Sequence, residues 1–505
     1  MNNELKEKKG LHPVWFFIIL SGVTVFLSFI FSLINLQGVE YQVNQSGTVT
    51  TTILTVKSLL TLSGLRFMIG ETINNFLKFI PLGTVIVGLI GMGSMIKTGL
   101  LKEIFSRLSR RIPRLVMFFI FSLLCIVMGF SQDLAFVIMI PVAVALFTEY
   151  KRSQVIGMTM AFVSVAAGAN INLFITSLDY SIVELARNSV KTINMDYSYG
   201  YSGDLFLIVI SSLLLALLIA VITEFVSRKK PVRISDEEVE ISDKLKKKGL
   251  KVAFIIIAVV GVLTIYSIIP KLPLSGGLLD NKQELYVNKL FGANSPFVNG
   301  ILFIISFTGL IASIAYGFIT KQLKSDKDLI KILTSNLNNI GELLLIIFFA
   351  SLSIALFKYS NIGEVFVAIL FSLIRGANFS FVLLIIFSFI AIALSGVFVS
   401  SFADKWNMFA PALMAQFMKS NITPEFVGAI FRLASGISNL VTPVFPYFAI
   451  YVGYMGLYNK NDFSVKKCYG LLIPYIAGII ILFLFIVVAW YILGAPIGPR
   501  INPTI

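Results

Sequence analysis

Several ionisable side chains lie within or beside long apolar stretches of this sequence. They are Asp133, Asp179, Asp404, Lys405 and Arg432. Because a charge is costly inside a membrane, such residues bind a substrate or an ion, or they pair with one another. Arg432 carries a planar, permanently charged guanidinium that matches a carboxylate. It predicts either a clamp for an anionic substrate or an ion pair with one of the three aspartates, and the two states can alternate.

Four short polar segments interrupt the apolar stretches, at residues 129–133, 168–172, 400–405 and 435–439. Small residues and amides allow a helix to unwind, which frees backbone groups for a substrate carboxylate or a monovalent cation. Helix packing through small residues is the alternative. The candidates for substrate contact are Asp179, Arg432, Trp406, Asn172 and Asn439, and those for ion coupling are Ser131, Asp133, Asn170, Ser401, Asp404 and Ser438.

Some of these residues have two interpretations. Asp179 can take up a proton or cap a broken helix. Trp406 can stack on a ring of the substrate, although membrane tryptophans usually anchor a helix at the interface. Its position after a polar segment within an apolar stretch favours stacking. Asp196 and Asp204 lie in or beside a loop and are expected to be solvated.

Residue types that support most enzyme and metal chemistry are scarce. His12 is the single histidine, and Cys125 and Cys468 lie far apart on apolar stretches. The sequence contains no HExxH, CxxC or GxxxxGK[ST] motif, so it predicts no zinc site and no nucleotide-driven motor. We expect a protein that is not an enzyme, without a cofactor or bound metal, and powered by a sodium or proton gradient.

The composition indicates a membrane protein. Of the 505 residues, 57% are hydrophobic and 13% are charged, whereas about 25% of residues are charged in soluble domains. The net charge of +15 comes from Lys and Arg grouped between apolar runs. This grouping is explained by membrane topology and does not indicate nucleic-acid binding. We therefore expect membrane lipid as a partner.

Apolar runs of about 20 residues predict nine membrane spans in an all-α polytopic protein. The spans are 14–34, 78–97, 153–178, 204–226, 251–270, 298–320, 336–357, 425–457 and 470–494. Two further apolar stretches, 115–150 and 381–419, are broken by polar residues near the middle. Neither is a plain span.

The positive-inside rule assigns an orientation. The predicted cytoplasmic segments 1–13, 97–114, 151–152, 227–251, 321–331 and 458–467 hold 27 of the 41 Lys and Arg residues. Stretch 115–150 then enters and leaves on the cytoplasmic face as a re-entrant hairpin, and stretch 381–419 enters from outside. The predicted organisation is a cytoplasmic N-terminus at 1–13, a first half at 14–226, a cytoplasmic linker at 227–250, a second half at 251–494 and a short external tail at 495–505.

An internal repeat predicts two halves of inverted topology. Residues 95–105 resemble residues 356–366 at an offset of 261, and Pro141 corresponds to Pro411 at an offset of 270. Asn172 corresponds to Asn439 at an offset of 267. Inverted repeats with broken helices at corresponding places are typical of secondary transporters that bind substrate between the repeats.

Several motifs along nearly the whole chain resemble the p-aminobenzoyl-glutamate transporter (AbgT) family. They are His12-Pro13, Asn75-Phe76, Pro81-Leu82-Gly83-Thr84, residues 131–141, Asn172 with Asp179, residues 324–328, Lys405-Trp406 with Ala410-Pro411, Pro424, Arg432, and Asn439 through Thr442-Pro443 to residues 446–449. The resemblance implies a bowl-shaped homodimer in the bacterial inner membrane, with nine spans and two hairpins per subunit. It also implies a substrate pocket formed by Asp179, Trp406, Pro424 and Arg432.

The resemblance further implies transport of p-aminobenzoyl-glutamate, a folate breakdown product, and some relatives resemble exporters of p-aminobenzoate and sulfonamides. Two departures bear on the substrate and the coupling ion. The family commonly has Asn where this chain has Gly396, and a Gly-Ser-Ala-Ser tip before Lys-Trp. Residues 400–404 here read Ser-Ser-Phe-Ala-Asp.

These observations predict a secondary active transporter for a small anionic aromatic compound. In it, Arg432 binds a carboxylate, Trp406 stacks on the ring, and Asp179 couples protonation or holds the amine. A carrier of short-chain fatty acids or dicarboxylates is an alternative within the same class. An intramembrane hydrolase that uses Asp133 and Asp179 is another, and it requires both carboxylates near one water. A passive channel is the third.

Overall fold

The computed structural model describes residues 10–43, 49–79, 81–228, 241–338, 340–375, 380–458 and 464–505. Residues 1–9 of the predicted N-terminal segment and 229–240 of the predicted linker lie outside the described residues. The described chain is mainly helical. The helices are α1 (Pro13–Leu33), α2 (Leu62–Gly70), α3 (Thr72–Leu77), α4 (Pro81–Lys97), α5 (Leu100–Ser109), α6 (Arg114–Met128), α7 (Gln132–Glu149), α8 (Gln154–Gly168), α9 (Ser177–Lys191), α10 (Leu205–Arg228), α11 (Asp243–Ile268), α12 (Tyr286–Phe291), α13 (Pro296–Ile319), α14 (Asp326–Leu337), α15 (Ile340–Tyr359), α16 (Ile362–Arg375), α17 (Phe381–Phe398), α18 (Phe402–Lys419), α19 (Pro424–Val441), α20 (Pro446–Tyr458) and α21 (Val465–Leu493).

Nine helical segments in the described residues are long and apolar enough to cross a membrane. They are Pro13–Leu33, Thr72–Lys97, Gln132–Glu149, Leu205–Arg228, Asp243–Ile268, Pro296–Ile319, Asp326–Tyr359, Phe381–Phe398 and Val465–Leu493. Because a helix of about 20 apolar residues spans the hydrocarbon layer, the chain is a multi-pass membrane protein. The predicted class of helical polytopic protein is confirmed.

Two of the predicted spans, each of which contains one of the predicted polar interruptions, are broken helices. In stretch 153–178, α8 ends at Gly168 and α9 begins only at Ser177, so residues 169–176 are not helical. In stretch 425–457, α19 and α20 meet at a bend of 42°. Neither of these two stretches is among the nine apolar segments. The nine include α7 and α17 instead, which belong to the two stretches predicted to be broken, 115–150 and 381–419.

The unwound turn predicted at residues 435–439 is wrong. Helix α19 continues through these residues to Val441, and the break comes at residues 442–445. Thr442 is extended, with φ −81° and ψ 127°, as expected for a residue that precedes a proline. Pro443 therefore determines the position of the break, and the small residues before it serve helix packing.

A two-stranded sheet, which the sequence analysis did not predict, lies between α1 and α2. Strand β1 (Gln37–Val43) pairs antiparallel with β2 (Val49–Thr55), and Gln37 lies opposite Thr55. The second strand is rich in threonine and includes Val49 and Ile53, residue types that favour strands. This signal was present in the sequence, but a search for long apolar runs does not detect it.

Both polar tips separate two helices where the sequence predicts a break. Helices α6 and α7 are separated by residues 129–131, and α17 and α18 by residues 399–401. The hydroxyl of Tyr150, after α7, donates to the carbonyl of Ile112, before α6, at 3.4 Å. The two ends of stretch 115–150 therefore lie side by side.

The helices recur in the same order in two parts of the chain, from α4 to α10 and from α15 to α21. Pro141 and Pro411 occupy the same position within α7 and α18. The Asn172 amide donates to Val127 O at 3.1 Å, and the Thr442 hydroxyl donates to Val397 O at 2.9 Å. These contacts are 270 residues apart, like the two prolines, whereas Asn172 and Asn439 are 267 residues apart.

Helices α8 and α19 pack against each other at the centre of the molecule. Every residue from Pro424 to Leu440 is buried, as is every residue from Ile156 to Gly168. In contrast, only 6% of the most apolar window of α11 is buried. An apolar helix with this exposure faces lipid or a partner subunit.

The predicted tail at 495–505 is folded onto two helix starts. The carbonyl of Ile497 accepts hydrogen bonds from the first-turn amides of Phe206 and Leu207 in α10, at 2.8 and 3.1 Å. Pro503 O accepts from the amide of Thr423, just before α19, at 3.0 Å. The tail thus satisfies backbone donors that helix starts leave unpaired.

Candidate functional site

Arg432 lies at the centre of a buried charge cluster between α8, α9, α10 and α19. Its side chain is 2% exposed. Its Nη1 atom lies 2.5 Å from Asp179 Oδ1 and 3.1 Å from Asp204 Oδ2. Its Nε atom donates to the carbonyl of Asn170 at 2.7 Å. The guanidinium therefore joins α19 to the unwound segment between α8 and α9.

Asp179 both caps a helix and forms an ion pair. Its Oδ2 atom accepts from the amide and the hydroxyl of Thr176, at 2.6 and 2.9 Å, while its Oδ1 atom accepts from Arg432. The Thr176 hydroxyl in turn accepts from the backbone of the first turn of α9, in a capping box. Asp179 therefore caps α9 and pairs with Arg432 at the same time.

Asp204 contradicts the expectation that it is solvated. It is 8% exposed, and both of its oxygens accept from Arg432 Nη1, at 3.4 and 3.1 Å. It lies just before α10, where the folded C-terminal tail covers the helix start. Asp196 is exposed, as expected.

The sequence analysis missed a third buried carboxylate, which lies on the same helix as Arg432. Glu425 in the first turn of α19 is 1% exposed. Its oxygens accept from the hydroxyl of Tyr197 at 2.7 Å and from the amide of Gly200 at 3.4 Å. An acidic residue in the first turn of a helix is usually a solvent-exposed partner of the helix dipole. Here the loop before α10 buries it.

Trp406 attaches α18 to α9. It is fully buried, its indole Nε1 donates to Ile182 O at 2.9 Å, and its ring lies 4.6 Å from the ring of Phe431 between centroids. Ile182 lies one turn after Asp179 in α9. Trp406 of α18 therefore contacts α9, the helix that carries Asp179, and its role in stacking on a substrate stays a prediction.

The remaining predicted substrate contacts lie near the breaks in the helices. The Asn439 amide donates to Ala166 O at 3.0 Å, close to the end of α8, and the Asn172 amide donates to carbonyls at the end of α6. Pro424 is buried at the first position of α19. These residues hold helix ends together around the cluster, and direct contact with a substrate stays a prediction for each.

The predicted ion-coupling residues do not form one cluster. Asp133 accepts from the hydroxyl of Tyr447 at 2.5 Å, and the Ser438 hydroxyl donates to Ala393 O at 3.0 Å. Ser131 precedes α7 and is 8% exposed. Asp404 is exposed, while Ser401 accepts from its amide at 3.2 Å.

Asp133 accepts from Tyr447 and Asp179 accepts from Arg432, so the two carboxylates have different hydrogen-bond partners. Asp404 instead lines a cavity of about 500 Å³ together with Glu40 and Glu364. Within the described ranges, no three His, Cys, Asp or Glu side chains are grouped so as to hold a metal ion.

Nearly the whole chain matches one family of membrane transporters. Residues 5–505 match the model of the AbgT putative transporter family. The p-aminobenzoyl-glutamate transport protein of Escherichia coli (strain K12) is 25% identical over 500 residues, which cover 97% of this chain and 94% of that protein.

Two solved structures also resemble this chain. The YdaH transporter of Alcanivorax borkumensis is 22% identical, with a TM-score of 0.47, over 97% of this chain and 100% of that chain. MtrF of Neisseria gonorrhoeae, described as illuminating a class of antimetabolite efflux pumps, is 26% identical, with a TM-score of 0.49, over 99% of this chain and 98% of that chain.

Proposed function

Because this chain belongs to the AbgT transporter family, we propose that it is a secondary active transporter of p-aminobenzoyl-glutamate or a related anionic aromatic compound. The observation that carries the proposal is the buried guanidinium of Arg432 beside an unwound segment. Arginine is well suited to bind a carboxylate, because its planar guanidinium can donate two parallel hydrogen bonds to the two carboxylate oxygens. The name of the relative from Escherichia coli supports the choice of substrate.

The charge balance of the cluster supports coupling to a cation gradient. Asp179 and Asp204 share the single guanidinium of Arg432, so one negative charge is in excess when both carboxylates are ionised. A proton or a sodium ion bound at either aspartate removes this excess. The neutralised aspartate then competes less for the guanidinium, so the carboxylate of a substrate can take its place beside Arg432, which couples binding to the ion gradient.

The connections between helices suggest how the site opens. The cluster joins α19 to α9 and α10, and Trp406 ties α18 to α9. When the ion pairs of Arg432 change partners, these helices move relative to one another. We propose an elevator-like or rocking motion of the layer that contains the two broken stretches. The homodimer, the inner-membrane location and the cytoplasmic N-terminus implied by the resemblance belong to the same proposal.

Flux measurements in proteoliposomes test the proposed function. Radiolabelled p-aminobenzoyl-glutamate is supplied under a proton gradient or a sodium gradient, imposed separately. We expect accumulation against the substrate gradient with one of the two ions, which a passive channel cannot produce. Competition by succinate or butyrate, without binding of aromatic compounds, would favour the dicarboxylate or fatty-acid carrier instead.

Variants of Arg432 test its role in transport, and a variant of Arg228 is the control. Arg432→Ala and Arg432→Lys are expected to abolish accumulation, because Lys lacks the planar fork of the guanidinium. Arg228→Ala serves as the matched control, since the Arg228 side chain is 61% exposed at the end of α10. Accumulation by Arg432→Ala at the rate of the control would remove Arg432 from the proposal.

A further inference from the structure

Lys405 is a buried cationic residue that the charge cluster does not use. It lies in the first turn of α18 and is 0% exposed. In the part of the chain that the structure describes, its Nζ atom is buried and has no hydrogen-bond partner. Buried polar atoms without a partner are rare in folded proteins, and each one calls for a ligand, an ion or a water that completes it.

The Lys405 amine points to the place where α17 and α19 cross. A Cβ atom added at Gly396 of α17 would lie 2.9 Å from Lys405 Nζ and 2.0 Å from Ser438 Cβ. The absence of a side chain at Gly396 therefore allows three helices to meet at this point. Any larger residue there would displace either the amine or Ser438.

A second polar atom without a partner lies in the same packing layer. The hydroxyl of Ser435, one turn before Ser438 in α19, is buried and has no hydrogen-bond partner among the described residues. Residues three apart in a helix share one face, so Ser435 and Ser438 both face the neighbours of α19 on this side. The interface thus contains an unpaired amine and an unpaired hydroxyl.

The chemistry of Lys405 defines the missing partner. A lysine ammonium has three donors and no acceptor, so its partner must accept hydrogen bonds, and a carboxylate matches both the donors and the positive charge. The adjacent Asp404 is exposed and lines the cavity that also contains Glu364. It does not pair with Lys405. Arg432, by contrast, already has two carboxylate partners.

We propose that Lys405 binds a carboxylate of the transported substrate, as a second anionic anchor at the crossing of α17, α18 and α19. The inference rests on the proposed function and adds a binding residue to it. A cavity of about 80 Å³ lies beside the turn that carries Lys405, and its polar lining includes Ser400, Ser401, Lys358, Glu364 and Asp404.

A substrate with two carboxylates fits two cationic anchors. One carboxylate is bound by Arg432 when an aspartate releases it, and the other is bound by Lys405. Trp406 follows Lys405 directly in α18, so the aromatic ring and the amine belong to the same turn. The anchor therefore selects anionic ligands over uncharged ligands of the same shape.

Binding of matched acids and amides to the full-length protein in detergent tests this selection. The probes are p-aminobenzoyl-glutamate, benzoate and succinate, each compared with its uncharged amide. Lys405→Met is expected to lower the affinity for the preferred acid by about 10- to 100-fold, the range for a lost hydrogen bond to a charged group. Its affinity for the amide is expected to stay the same. Lys405→Arg is expected to retain the preference for the acid.

Lys419→Met is the matched control, because Lys419 is exposed at the other end of α18. Melting temperatures without ligand show whether each variant folds, and Lys405→Met is expected to melt at or above the wild-type temperature because it removes an unpaired buried group. If Lys405→Met prefers acids over amides as strongly as the wild type does, the proposal is overturned. A wild-type protein without a preference for any acid overturns it as well.

The two proposals fail in different ways. If the wild type binds p-aminobenzoyl-glutamate and Lys405→Met keeps the full preference for it, the proposed function stands and the anchor falls. If the wild type binds benzoate or succinate through Lys405 but does not bind p-aminobenzoyl-glutamate, the anchor stands and the proposed substrate falls.

Discussion

At Arg432, one guanidinium serves two carboxylates and a backbone carbonyl in a site closed to solvent. A buried ion pair contributes little net stability, because the loss of hydration offsets the attraction. Removing one partner is costly, since the other charge remains buried. A substrate carboxylate that replaces one aspartate keeps the guanidinium paired and avoids this cost. The cluster is therefore suited to exchange one carboxylate for that of a substrate.

A substitution at Asp204 tests ion coupling in a protein that still folds. Asp204→Asn keeps the shape of the side chain and leaves the pair of Arg432 with Asp179 intact. It is expected to lower the free energy of unfolding by about 1–3 kcal/mol. Accumulation driven by the ion gradient is expected to fall about 10-fold or more, because an amide does not take up a proton or balance a sodium ion.

The control for this change is Asp196→Asn, at an exposed position of the same loop. Counterflow exchange, which needs no ion gradient, is measured beside accumulation. We expect Asp204→Asn to retain exchange and Asp196→Asn to behave as the wild type in both assays. Full accumulation by Asp204→Asn would show that the second aspartate has no part in coupling.

At the scale of elements, interruptions of helices position the site. Residues 169–176 are not helical and supply the carbonyl of Asn170 to Arg432. Residues 129–131 and 399–401 separate two pairs of helices. Irregular backbone at membrane depth is stable only where protein or a water-filled cavity surrounds it. The contact of Tyr150 with Ile112 favours a first stretch that returns to the face from which it entered.

Cysteine labelling tests the course of stretch 115–150. Arg110→Cys and Lys151→Cys introduce thiols at exposed positions before α6 and after α7. The native residues Cys125 and Cys468 are buried free thiols, so replacing both with alanine gives a clean background. We expect a membrane-impermeant maleimide to label both new thiols from the cytoplasmic side only.

Asp196→Cys, in the loop before α10, is the control and is expected to be labelled from the opposite side. Labelling of positions 110 and 151 from different sides would show that the stretch crosses the membrane. The re-entrant hairpin and the orientation derived from Lys and Arg would then both be wrong. Labelling of all three positions from one side would contradict the assignment of the loop at 192–204.

At the scale of the whole molecule, the two series α4–α10 and α15–α21 bring the broken helices to a common centre. Apolar runs and charge placement suffice to predict most of the spans, because both follow from the physics of the bilayer. Arg432 and Asp179 are detectable in the sequence because each lies in or near an apolar run. The exact position of the second break is not, since Pro443 outweighs the small residues at 435–439.

Asp204 and Glu425 could not be found in this way. Each lies at the start of a helix, where an acidic side chain is normally solvated and stabilises the helix dipole. Only the packing of the loop at 192–204 and of the C-terminal tail buries them. The unpaired state of Lys405 likewise could not be predicted, because it depends on packing against other helices, among them α17 with Gly396.

The most direct measurement is an experimental structure of the full-length protein with p-aminobenzoyl-glutamate bound. We expect a carboxylate of the ligand within hydrogen-bond distance of the Arg432 guanidinium, with Asp179 or Asp204 displaced from it. We also expect the ligand to lie between α9 and α19, beside the unwound residues 169–176. A ligand bound elsewhere, while Arg432 keeps both aspartates and the carbonyl of Asn170, would contradict the account.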